Sequence, residues 1–261
     1  MNWSSQKRVL YISGVSIILL LVIGIPVYFK YFNKPPSCFD GKQNQDERGV
    51  DCGGVCAMLC PFEARDPIII YTRLFEASPG NYTAIALVEN PNQGVFAREL
   101  SYIFKIYDKD NVLLYEIPGT TFAPPGRVFP IFVSSILTGN RTASNVTFAV
   151  AGGAAISWER GEWPEPDIKV TNVLNKVVGD RARVEADIVN NEVYDLLGLQ
   201  VAAVVYDAAG NARDASATVV ERVLGKGRQH IVFTWNREFA FPVSKIDIMP
   251  RTAPRGFLEA Q

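Results

Sequence analysis

Leu100-Ser-Tyr-Ile-Phe-Lys-Ile-Tyr-Asp108 and, about a hundred residues on, Leu199-Gln-Val-Ala-Ala-Val-Val-Tyr-Asp207 are two versions of one segment. Leu100, Tyr102, Phe104 and Ile106 alternate along the first; Leu199, Val201, Ala203 and Val205 repeat that row in the second. A period of two is that of a strand with one side against a core. Each segment ends in Tyr-Asp and runs into a turn signal, Asp108-Lys-Asp-Asn111 or Asp207-Ala-Ala-Gly-Asn211. An aspartate there caps turn amides with its carboxylate, so Asp108 and Asp207 are read as turn caps and not as catalytic groups.

Working outward, the echo continues in order. Asp66-Pro-Ile-Ile-Ile70 is answered by Pro166-Asp-Ile-Lys-Val170, Val88-Glu-Asn-Pro91 by Ile188-Val-Asn-Asn191, and Pro125-Gly-Arg127 by Lys226-Gly-Arg228, all at offsets of 99 to 101. Ordered matches at a constant offset indicate two tandem copies of one domain. Val184, Ala186 and Ile188 alternate with Arg183, Glu185 and Asp187, a further turn signal falls at Asn90-Pro-Asn-Gln-Gly94, and helical spacing is scarce. The expected fold is all-β: two antiparallel β-sandwiches at 66–157 and 166–252, a linker at 158–165 and a tail at 253–261.

Phe104-Lys-Ile-Tyr-Asp108, with its preceding Asn turn and following hairpin and Pro-Gly, resembles the FxLYD and late-embryogenesis-abundant type of immunoglobulin-like sandwich. Ile stands for the usual Leu; Ala203-Val-Val-Tyr-Asp207 departs at the Phe. The resemblance implies immunoglobulin-like binding or spacer modules without a shared catalytic centre.

All four cysteines of the chain, Cys38, Cys52, Cys56 and Cys60, fall in a segment at 37–61. Four cysteines allow three pairings, and each closed loop would contribute about 3 kcal/mol in the chain-entropy model. A two-disulfide staple is the favoured reading. Zinc is disfavoured because no CxxC pair is present. Asp40, Asn44, Asp46, Glu47 and Asp51 offer hard oxygens among several glycines, so calcium is a candidate cofactor, although Lys42 rules out an EF-hand pattern. Cys38-Phe-Asp-Gly through Asp51-Cys-Gly-Gly-Val-Cys56 is similar to a short cysteine motif of secreted and surface-anchored, mostly bacterial, proteins. That resemblance implies an extracytoplasmic site and no particular activity.

Val9 to Phe29 contains no charged residue and no histidine. It is long enough to cross a hydrocarbon core about 30 Å thick. We read residues 1–8 as a short cytoplasmic tail and 9–31 as a transmembrane helix with aromatic flanks at Tyr28, Phe29, Tyr31 and Phe32, in which Pro26 kinks or ends the last turn. A cleaved signal peptide fits less well, because no small-x-small site follows. Lys7 and Arg8 are balanced by Lys30 and Lys34, so orientation rests on the cysteines, which belong in an oxidising space.

The chain of 261 residues has a formal net charge of −1, which gives no reason to expect a nucleic acid. His230 has no second histidine to pair with, and Ala151-Gly-Gly-Ala-Ala155 lacks a phosphate-loop frame. Trp158 and Trp163 at the domain boundary are read as joint packing, with sugar stacking as the alternative. The expected protein is thus a non-enzymatic, single-pass cell-membrane protein holding two sandwiches outside the cytoplasm to bind a protein or a surface glycan. The alternatives are an accessory subunit of a secretion, pilus or transport assembly, for which Ser13, Gly14 and Ser16 permit close helix packing, and a surface-polymer hydrolase, for which no carboxylate pair stands out.

Overall fold

The computed structural model describes residues 3–31, 37–44, 46–150 and 156–253. The chain divides into two compact units, Met1–Cys56 and Ala57–Gln261. The flank at Phe32 and Lys34, the glycine pair between residues 151 and 155, and the tail beyond residue 253 lie outside the described residues.

In the first unit, helix α1 runs from Trp3 to Tyr31. It starts earlier than the charge-free run and continues through Pro26. The proline removes one backbone donor, which does not end a helix whose remaining turns are intact. From Lys7 to Tyr28 it is long and apolar enough to cross a membrane, and none of that stretch is buried against protein. An apolar surface on every side suits a lipid solvent rather than water.

The second unit is all-β. One sheet has the order β1 (Ile68–Ser78), β2 (Asn81–Glu89), β5 (Val128–Leu137); the sheet stacked on it has β4 (Leu113–Ala123), β3 (Val95–Asp108), β6 (Ala143–Val150). A further pair follows: β8 (Ile168–Val178), β9 (Arg181–Asn190) and β12 (Arg228–Thr234) in the order β12-β9-β8, and β10 (Leu196–Tyr206), β11 (Ala212–Val223) and β13 (Lys245–Arg251) in the order β11-β10-β13. All these pairings are antiparallel. Each strand from β8 to β13 takes the place of its counterpart from β1 to β6. The residues expected to face inward do so: Leu100, Phe104, Ile106, Leu199, Val201, Ala203 and Val205 are buried, while Tyr102 is half-buried against the first core.

The boundary is where expectation and structure part. Trp158–Arg160 forms a strand, β7, which pairs with the start of β3, so the supposed linker begins as part of the first sandwich. Trp158 is 2% exposed in the first core, which excludes it as a sugar-stacking platform. The two sandwiches also pack face to face. Phe75 and Ile85 from the outer face of β1-β2 meet Val204, Ala212 and Ala215 from the outer face of β10-β11, flanked by Tyr71, Phe132, Tyr206 and Met249. The unit is therefore a stack of four sheets. Its two inner sheets explain why Ala84 to Val88 and Val201 to Val205 are buried on both faces, as strands covered on both sides must be.

Candidate functional site

The cysteine segment is built from short-range ties. Cys38 is bonded to Cys56, Cys52 and Cys60 are also disulfide-bonded, and no cysteine is free. Gly53 and Gly54 both have positive φ, and a Cβ on Gly54 would lie 2.0 Å from the carbonyl oxygen of Asp46. The loop thus calls for glycine at both positions, by backbone conformation at Gly53 and by conformation and space at Gly54.

The candidate calcium ligands are occupied with backbone. The Asp51 carboxylate accepts from the amides of Asp40 (2.9 Å) and Gly41 (2.9 Å). Asp40 accepts from the Asn44 side chain and from the amides of Lys42 and Ser37, and the bond from Asn44 leads in holding its carboxyl below the usual range. Glu47, buried, accepts from the Asn44 amide, while Asp46 is an exposed turn residue with positive φ. Among the described residues the acidic side chains do not converge on one point with each other; only Glu47 meets the sulfurs of Cys38 and Cys56. Those sulfurs share a disulfide and offer no thiolate, so this group is a staple and not a metal centre.

At each sandwich end a buried asparagine ties one sheet to the other. Asn90 Nδ2 donates to the carbonyls of Val95 (2.7 Å) and Pro124 (2.9 Å), and its Oδ1 accepts from the Asn92 amide. Asn190 repeats this with Tyr194, Val223 and Leu224 as acceptors and the Glu192 amide as donor. Asp108 accepts from the amides of Asp110 and Val112, Asp207 from those of Ala209 and Asn211, which is turn capping. The repeated Asn is the polar residue whose role could have been read from the sequence echo and was not.

A groove of about 320 Å³ lies at the joint, within the size range of small-ligand pockets. Its base is Arg251 from the end of β13. The guanidinium lies 4.0 Å from the Phe122 ring centroid and 4.9 Å from that of Phe129, and donates to the carbonyls of Pro130 (3.0 Å) and Phe122 (2.6 Å). Desolvation pushes it down to about 9, so it stays charged at neutral pH. Trp163, half-buried, packs on Phe96 and Phe122 at the groove wall, and Arg127 pairs with Glu165 on the rim. Of the two tryptophans, Trp163 lines this groove. Asp214 is also buried at the joint, its carboxyl raised chiefly by burial, with Arg237 4.0 Å away.

His230 lies on the outer face of the β8-β9-β12 sheet. Its Nδ1 is 2.9 Å from Asp187, which also accepts from Asn172 (2.7 Å) and has its carboxyl lowered, the Asn172 bond first and the His230 bond second. Among the described residues the ring contact of His230 is with this carboxylate, and no hydroxyl or thiol bonds to the ring.

No family model matches the chain, and no curated protein matches it. A solved structure of red sea bream transglutaminase aligns at 13% identity over 69% of this chain and 29% of that chain, with a TM-score of 0.20. The chain spans less than a third of that protein.

Proposed function

We propose that this is a single-pass, N-terminally anchored membrane protein whose two immunoglobulin-like sandwiches, of the FxLYD type, stand on the extracytoplasmic side as a non-catalytic binding or scaffold body. The observation that carries the reading is the pairing, in one chain, of a fully exposed apolar helix with an oxidised cysteine segment only a few residues beyond it. The helix fixes the chain at the bilayer, the stapled segment follows as a short neck, and the four-sheet body carries the contact surfaces.

A protein partner is favoured over a glycan by one feature. Edge strand β8 leaves Val173, Leu174, Val177 and Val178 at least 40% exposed, and an apolar strand edge is a template for another chain. This supports the second reading, an accessory subunit of an envelope assembly. Labelling intact cells with a membrane-impermeant maleimide tests the topology. Labelling only after external reduction supports the proposal; thiols that label only after lysis, without reductant, overturn it.

A further inference from the structure

Between Cys38 and Cys56 the cysteine segment exposes three large apolar side chains: Phe39 at 85%, Val55 at 64% and Val50 at 57%. The Cys38–Cys56 disulfide holds its two Cα atoms 5.8 Å apart, and Phe39 and Val55 are the chain neighbours of those cysteines. Asp51, next to Val50, accepts from the amides of Asp40 and Gly41, next to Phe39. Two ties therefore hold the backbone at all three positions within one small module, and among the described residues none of the three belongs to a buried apolar cluster.

Chain length limits what can cover them. Six residues, 32–37, separate the last residue of α1 from Cys38. Fully extended they reach about 25 Å, so the module cannot leave the neighbourhood of the bilayer its helix spans. The headgroup layer on each side of the hydrocarbon is about 5–8 Å deep, and aromatic and aliphatic side chains partition into it. We infer that the stapled module docks on the lipid surface of its own membrane, with Phe39, Val50 and Val55 seated in the headgroup layer. This makes the neck a second, interfacial contact beside the helix. The inference rests on the proposed membrane anchoring and holds for either side of the membrane.

The test uses the full-length protein in phosphatidylcholine liposomes, carrying Trp3→Phe to remove the helix tryptophan and Phe39→Trp as reporter. Liposome flotation checks anchoring. The same protein without Phe39→Trp supplies the background from Trp158, Trp163 and Trp235, and peptide mapping of Cys38–Cys56 confirms the fold. In floated protein, lipid brominated near the headgroup is expected to remove most of the emission added at position 39, and aqueous iodide to leave it nearly intact. Val50→Trp and Val55→Trp are expected to behave alike. If the protein floats but iodide quenches the added emission and bromine does not, lipid docking is overturned while anchoring stands. Emission shielded from both quenchers means that protein covers the site, which also overturns docking. Protein that fails to float overturns the anchoring itself.

Discussion

Arg251→Ala separates a stacked four-sheet body from two sandwiches on a string. Arg251 belongs to the second sandwich, yet its acceptors, the carbonyls of Pro130 and Phe122, and its stacking partners, Phe122 and Phe129, all belong to the first. Hydrogen bonds from a charged group contribute about 1.5–3 kcal/mol each, and a desolvated cation over a ring adds about 0.5–2 kcal/mol. Against this stands the cost of desolvating the guanidinium, several kcal/mol. Truncation leaves two carbonyls without this donor and a void beside the aromatic rings, for a net loss of about 3–5 kcal/mol. Arg251→Met keeps the apolar stem and removes the charge with its desolvation cost, so it should lose less, about 1–3 kcal/mol. Guanidinium unfolding of the purified protein measures the loss, and limited proteolysis of residues 161–165 reports whether the joint opens. If Arg251→Ala unfolds within 0.5 kcal/mol of the parent, about the scatter of neutral surface changes, and the 161–165 segment stays protected, the arginine does not hold the joint.

Asn90→Asp and Asn190→Asp are near-isosteric but set a carboxylate against carbonyls now served by Nδ2. Each should cost about 3 kcal/mol or more in denaturant midpoint, partly regained on acidification as the carboxyl becomes a donor. Gly54→Ala forces a Cβ against the Asp46 carbonyl at positive φ; mass mapping under non-reducing conditions should show Cys38–Cys56 replaced by mixed pairings. Asp214 has a folded-state pKa above its unfolded value of about 3.9. The folded state therefore keeps its proton longer, and stability falls as pH rises from the unfolded pKa through the folded one, by about 1.4 kcal/mol per unit of difference. Asp214→Asn should flatten that part of the pH–Tm profile and raise Tm at neutral pH; a lower Tm at neutral pH would show that the charged form is favoured by its neighbours.

Much of this architecture is legible from residue pattern alone, because alternation and a constant offset report strands and duplication directly. Leu100 to Ile106 and Leu199 to Val205 face the cores as the period of two requires. The face-to-face joint was legible in principle and missed. Ala84-Ile-Ala-Leu-Val88 and Val201-Ala-Ala-Val-Val205 lack any polar alternate, which is the mark of a strand covered on both sides. Arg251 carried no such signal: a single arginine near a strand end reads as an exposed residue until the other sandwich is placed against it. Trp158 misled for the opposite reason, since the Glu and Pro residues that follow it gave a linker composition to a residue that pairs with β3.

The joint joins unlike faces, the outer face of β1-β2-β5 in the first copy and that of β10-β11-β13 in the second. Such a heterologous contact between two copies of one topology has no geometric reason to stop at two. Side-chain chemistry at equivalent positions supplies the stop. Val204 and Ala215 are register partners at the joint; in the first copy the matching partners of β3 and β4 are Lys105 and Glu116, an ion pair at 2.7 Å on a free face. Ile85, buried in the joint, corresponds to Glu185 of β9, which pairs with Lys176 and Arg183 on the other free face. Ion pairs exposed like these add little stability, but stripping their water to stack another sheet costs several kcal/mol per charge. The same strand positions that are apolar where the copies meet are charged where the stack ends, so the charged outer faces disfavour the stacking of a further sheet.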